Sequence, residues 1–112
     1  MRRLALLVAL ALAGCATHVG PDGRVIGAPC VDVFDCAMGS FCLRRPETPG
    51  GLCTTNCRDD DDCRGGARCV ALESGVCLVS CAADEDCGRP DYACRLREPR
   101  GGGEAVAVCA GG

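Results

Sequence analysis

From Cys30 onward the chain is organised by cysteine and by little else. Cys30, Cys36, Cys42 and Cys53 are followed by Cys57, Cys63, Cys69 and Cys77, and then by Cys81, Cys87, Cys94 and Cys109. The segments between them run 5, 5 and 10 residues in the first set, 5, 5 and 7 in the second, and 5, 6 and 14 in the third. Other positions repeat in step. Asp35, Asp62 and Asp86 each precede a second cysteine, and Leu52, Val76 and Val108 each precede a fourth. Gly39 and Gly66 stand three residues before the third cysteine, where the last set has Asp91. A period of this kind marks tandem units. It divides the chain into three four-Cys modules over residues 30–53, 57–77 and 81–109, joined by Thr54-Thr55-Asn56 and Leu78-Val79-Ser80.

Modules this short cannot rest on a hydrophobic core alone. The chain has 13 Cys in 112 residues but only two Phe, one Tyr and no Trp, the composition of a disulfide scaffold rather than of a cytosolic enzyme. The expected fold is therefore small and disulfide-rich, with short strands, turns and little regular secondary structure. Cys30–Cys36 and Gly75–Cys81 carry enough alternating apolar residues to suggest strands, whereas the acidic runs Arg58–Asp62 and Ala82–Asp86 favour turns. Spacing leaves the pairing open, because four cysteines can join in three ways. The frame is open too, since Cys53, Cys57, Cys63 and Cys69 form an equally regular set.

The thirteenth cysteine belongs to a different signal. Arg2 and Arg3 precede an uncharged apolar run from Leu4 to Leu12, the layout of a secretory signal peptide and too short to span a bilayer. The run ends in Leu12-Ala13-Gly14-Cys15, which resembles the lipobox of bacterial lipoproteins. That resemblance implies a signal peptide over residues 1–14, cleavage before Cys15, a diacylglyceryl group on its sulfur and anchoring to a membrane through lipid. It also implies an even number of cysteines left to pair. Ala16, where an Asp would favour retention in the inner membrane, points to the outer membrane of the cell envelope. Residues 15–29, with no helical or alternating pattern, read as a lipidated flexible tether.

Losing Arg2 and Arg3 with the leader makes the net charge of −3 more negative by a further two. With few aromatics and no basic cluster, nucleic acid is excluded as a partner. Cys81-Ala82-Ala83-Asp84-Glu85-Asp86-Cys87 followed by Asp91-Tyr92-Ala93-Cys94 resembles the amino-terminal cysteine-rich region of Dickkopf proteins. It is also similar to whey-acidic-protein domains, without their adjacent cysteine pair. Both resemblances imply an extracellular disulfide-rich binding module. Together with the lipobox, the whole chain resembles the cysteine-rich repeat lipoproteins of Gram-negative bacteria.

Catalytic chemistry has little to stand on. His18, the lone histidine, sits three residues from the anchor, and the modules contain no Ser-His or Cys-His pair. No enzyme activity and no cofactor are expected. Zinc would need C-x2–4-C pairs, a spacing met only by Cys53/Cys57 and Cys77/Cys81. Calcium has hard oxygen ligands available in Asp59, Asp60 and Asp62 and in Asp84 and Asp86, but not in the alternating order of an EF-hand loop. The expected function is a lipid-anchored, non-catalytic scaffold that offers its longest loops, Leu43–Leu52 and Arg95–Val108, to a protein or glycan. The alternatives are a protease-inhibitor-like module working through Arg44-Arg45 or Arg95 and Arg97, and a calcium-binding module working through the acidic loops.

Overall fold

The structure is a computed structural model that describes residues 18–112. The expected signal peptide, the expected lipidation site Cys15 and the first residues of the expected tether lie outside the described residues.

Each set of four cysteines builds the same unit. Between its first and second cysteine the chain makes a 3-10 turn: Val33–Asp35, Asp60–Asp62 and Asp84–Asp86. A hairpin then carries the third and fourth cysteines. The strands are β1 (Phe41–Leu43) with β2 (Leu52–Thr54), β3 (Arg68–Val70) with β4 (Val76–Leu78), and β5 (Ala93–Arg97) with β6 (Val106–Ala110), all antiparallel.

The register places Cys42 opposite Cys53, Cys69 opposite Cys77 and Cys94 opposite Cys109. Directly opposed residues share a face of the ladder, so both sulfurs point toward the turn lying over that face. Accordingly they bond to the turn rather than to each other. The first cysteine joins the third and the second joins the fourth: Cys30–Cys42 and Cys36–Cys53, Cys57–Cys69 and Cys63–Cys77, Cys81–Cys94 and Cys87–Cys109. All six bonds close within the sets that begin at Cys30, Cys57 and Cys81. A bond closing a loop of about 15 residues stabilises by on the order of 3 kcal/mol, chiefly by restricting the unfolded chain.

The turns follow from aspartates at fixed places. Asp35 Oδ2 accepts the amides of Val31 and Asp32, Asp62 Oδ2 that of Arg58, and Asp86 Oδ2 those of Ala82 and Ala83. Asp32 and Asp59 cap forward, onto the amides of Phe34 and Asp61. This capping corrects the expectation of a strand over Cys30–Cys36: a carboxylate that satisfies the free amides of a turn outcompetes a short apolar alternation. The second expected strand is present as β4.

The units are fused rather than beaded. The residue two before each first cysteine accepts the amide of that unit's fourth: Ala28 from Cys53 at 2.9 Å, Thr55 from Cys77 at 3.1 Å and Val79 from Cys109 at 2.8 Å. Incoming chain thus flanks β2, β4 and β6 in turn. Gly51 and Gly75 permit the closest part of this approach, since a Cβ there would lie 2.1 Å from the Cys30 carbonyl oxygen and 2.3 Å from that of Cys57. Thr54, fully buried, donates its hydroxyl to the Cys77 carbonyl at 2.6 Å.

One apolar cluster runs through all three units. It gathers Leu43 and Leu52 from the first, Val70, Val76 and Leu78 from the second, and Tyr92, Val106 and Val108 from the third. The segment 18–29 is also part of the fold, which corrects its reading as a flexible tether. Val19 bridges Ile26, and Ile26 is wholly buried against the disulfides of the second unit. Gly27 and Ala28 pair with Cys53 on β2. The segment lacks any periodicity because it packs through single residues rather than through one face of a helix or strand. Among the described residues no helix is long and apolar enough to cross a membrane.

Candidate functional site

The acidic loops come first, because they carry the calcium candidates. Asp60 Oδ1 accepts the amide of Cys69 at 2.8 Å while its Oδ2 meets Arg68 at 2.8 Å, and Asp84 Oδ1 accepts the amide of Cys94 at 2.8 Å. Asp59, Asp62 and Asp86 are the turn caps described above. The carboxylates therefore diverge, each toward its own backbone amide. Among the described residues, the close groups of three or more potential metal ligands consist of cysteines already joined in disulfides. The hydrogen bonds also set the acidities. The amide of Cys69 holds Asp60 below the ordinary carboxylate range, that of Val31 holds Asp35 there, and that of Ala82 holds Asp86 there.

The arginines of the two long loops lie in different settings. Arg44 and Arg45 are exposed on the turn after β1, where Arg45 pairs with Glu73 of the second unit and Arg44 donates to the Val31 carbonyl. Thr48 closes that turn, donating to the Leu43 carbonyl at 2.9 Å and accepting the Arg45 amide at 2.9 Å. Arg95 and Arg97, by contrast, stand within β5 opposite Val108 and Val106. They were expected on a loop. The ladder runs further into the last cysteine interval than its glycines suggested, and the true loop is the tip 98–105.

A cavity of about 210 Å³ opens at the seam between units, lined by Val70, Leu72 and Leu78 with Glu47 and Arg97 at its edge. Shallower hollows of about 470 and 370 Å³ lie beside Arg58, Glu73 and Arg100 and beside Val33, Phe34 and Met38. Arg89 ties the units together away from this cavity. Its guanidinium lies 4.3 Å over the Tyr92 ring and donates to the carbonyls of Gly27 at 3.0 Å and Pro49 at 3.2 Å. One side chain thereby joins the third unit, the first and the segment before it. Burial pushes the Tyr92 phenol above its ordinary value.

An exposed apolar group was not foreseen from the sequence. Val31, Val33, Phe34 and Met38 surround the first unit's turn, with Phe34 85% and Met38 103% exposed. Aligning the units by their first cysteines would have found it. Val33 and Phe34 stand where the second unit has Asp60 and Asp61 and the third has Asp84 and Glu85.

These features define a small disulfide-rich protein of short antiparallel hairpins and turns. Compared with protein families, curated proteins and solved structures, the chain finds no match in any of the three.

Proposed function

We propose that the protein is a lipid-anchored, non-catalytic binding scaffold of the bacterial cell envelope, held on the outer membrane through Cys15 and presenting its exposed turns to a protein or glycan. The observation that carries this reading is the cysteine count. The twelve cysteines from Cys30 to Cys109 all pair with one another, which leaves Cys15, the last residue of Leu12-Ala13-Gly14-Cys15, outside the six bonds. An odd cysteine in an exported chain calls for a separate chemical fate, and acylation supplies one. The turn 44–51 and the tip 98–105 are the candidate contact surfaces, since loops on a stapled scaffold carry specificity.

The test is the intact mass of protein extracted from membranes, alkylated with and without prior reduction. A chain that begins at an acylated Cys15 is expected, unalkylated before reduction and alkylated at twelve cysteines after it. A chain without acyl mass, or one released into the soluble fraction, would overturn the anchor. Cysteines alkylated without reduction would overturn the scaffold.

A further inference from the structure

The first unit departs from its two copies at the turn after its first cysteine. At the first, third and fourth positions after its first cysteine it carries Val31, Val33 and Phe34, where the second unit has Arg58, Asp60 and Asp61 and the third has Ala82, Asp84 and Glu85. The turn itself is the same 3-10 turn in all three. Folding therefore does not require the apolar residues. Val31 is 69%, Val33 49%, Phe34 85% and Met38 103% exposed; Val33, Phe34 and Met38 border one surface hollow, with Val31 two residues before Val33, and the four make up an apolar knob. Isolated apolar side chains on a surface are ordinary, but a group in which Val33 and Phe34 replace the acidic residues of an otherwise repeated turn marks a contact.

Its position in the chain selects the occupant. The described chain starts at His18, three residues after Cys15, and three residues reach at most about 11 Å. The His18 carbonyl accepts the amides of Val25 and Ile26, both at 3.1 Å. The next side chain back, Arg24, donates to the carbonyls of Asp35 at 3.2 Å and Phe34 at 3.4 Å. The His18–Val25 bond and the contacts of the adjoining Arg24 thus lead from the start of the described chain to the knob. Arg44 flanks it on the other side, donating to the Val31 carbonyl at 3.4 Å. The carboxylates on the same turn are turned to the backbone, Asp32 onto Phe34 and Asp35 onto Val31 and Asp32. An apolar tip flanked by two guanidinium groups, close to a lipidated residue, matches the boundary between acyl chains and anionic headgroups.

We infer that Val31, Val33, Phe34 and Met38 insert into the interface of the bilayer that holds the Cys15 lipid, and so seat the first unit on the membrane in a fixed orientation. This inference rests on the lipid anchor proposed above. The acyl chains supply attachment, and the knob converts a point attachment into a face. The acidic turns of the second and third units, which occupy the equivalent places, stay in water.

The chain contains no Trp, so a single substitution reports on one site. The acylated protein carrying Phe34→Trp is reconstituted in vesicles of phosphatidylethanolamine, phosphatidylglycerol and phosphatidylcholine brominated near the top of its acyl chains. Glu85→Trp, at the equivalent place in the third unit, serves as the control. Phe34→Trp is expected to lose about half of its emission or more to the bromines, as a ring sunk into the interface would, and Glu85→Trp to lose little. Equal quenching at the two sites, with acylation at Cys15 confirmed by mass, would overturn the inference and leave the anchor standing. Absence of acyl mass would overturn both. A dimer of the secreted Cys15→Ser chain that Phe34→Asp dissolves would also overturn it, assigning the knob to a second copy of the chain.

Discussion

Asp60 accepts the backbone amide of Cys69 at 2.8 Å, so the third residue after one cysteine holds the turn against the strand that carries another. Asp84 and Cys94 make the same contact at 2.8 Å in the third unit, and the first unit has Val33 in that place. Cys42 occupies the same register position against Cys53 as Cys69 does against Cys77, so its amide faces the same side. Val33→Asp is therefore expected to stabilise the protein and Asp60→Ala to destabilise it. Each change should amount to about 0.5–1 kcal/mol, below the roughly 1.5–3 kcal/mol of a bond to a charged group because these side chains face solvent. The urea midpoint of the disulfide-intact protein checks both, and a Val33→Asp midpoint at or below the parent's would show that the two units differ in more than this residue.

Backbone conformation at the residue three before the third cysteine gives a second comparison. Gly39 and Gly66 adopt φ of 91° and 77°, and Asp91 adopts 67° at the same place in the third unit. A side chain in the left-handed region costs roughly 1–2 kcal/mol, somewhat less for Asp, and glycine recovers part of that while adding freedom to the unfolded chain. Asp91→Gly should raise stability by about 0.5 kcal/mol. Gly66→Ala should lower it by about 1 kcal/mol, although no atom lies within 4 Å of the added Cβ, so the loss would measure the backbone alone.

Acid should weaken the turns. Asp35, Asp60 and Asp86 are each held below 3.8 by backbone amides, those of Val31, Cys69 and Ala82 foremost. A carboxylate with a depressed folded value adds stability that is present above its unfolded value and is lost as the pH falls through the folded one. Stability is thus expected to be flat at neutral pH and to decline below 3.8. Asp86→Asn should shallow that decline, which urea midpoints from neutral to strongly acid pH would reveal. A slope unchanged in the variant would remove Asp86 from the account.

Ile26 tests whether the segment before the first cysteine belongs to the fold. It is fully buried beside Cys57, Cys63, Cys69 and Cys77. Ile26→Ala should cost about 2–4 kcal/mol, the range for emptying a buried aliphatic site. A tether would tolerate the same change without loss, so a midpoint within error of the parent's would return residues 18–29 to that role. Amide exchange at Gly27, which donates to Cys53 at 2.8 Å, should quicken in the variant.

Part of this fold is written in the spacing itself. The three sets of four cysteines, the small disulfide-rich class and the turns at the acidic runs all follow from local rules: a carboxylate one residue before the second cysteine reaches back to free amides whatever surrounds it. The apolar knob was written there too, in the difference between Val33-Phe34 and the aspartates and glutamate of the other units, but a contrast between repeats shows only when the units are superposed.

What the sequence alone determined is thus the count of units and the local chemistry of each turn. Tertiary structure decided the rest. The first-to-third and second-to-fourth bonds depend on which sulfurs a hairpin register brings within bonding distance, and spacing permits three pairings equally. Arg95 and Arg97 became strand residues because β6 pairs with β5 over five positions, a length set by the partner strand. Ile26 is buried only because the disulfides of a later unit form a surface for it, and Arg89 bridges carbonyls of Gly27 and Pro49 that lie 62 and 40 residues away in the chain. Such contacts have no local signature, since their energy depends on surfaces that exist only after the chain has closed on itself.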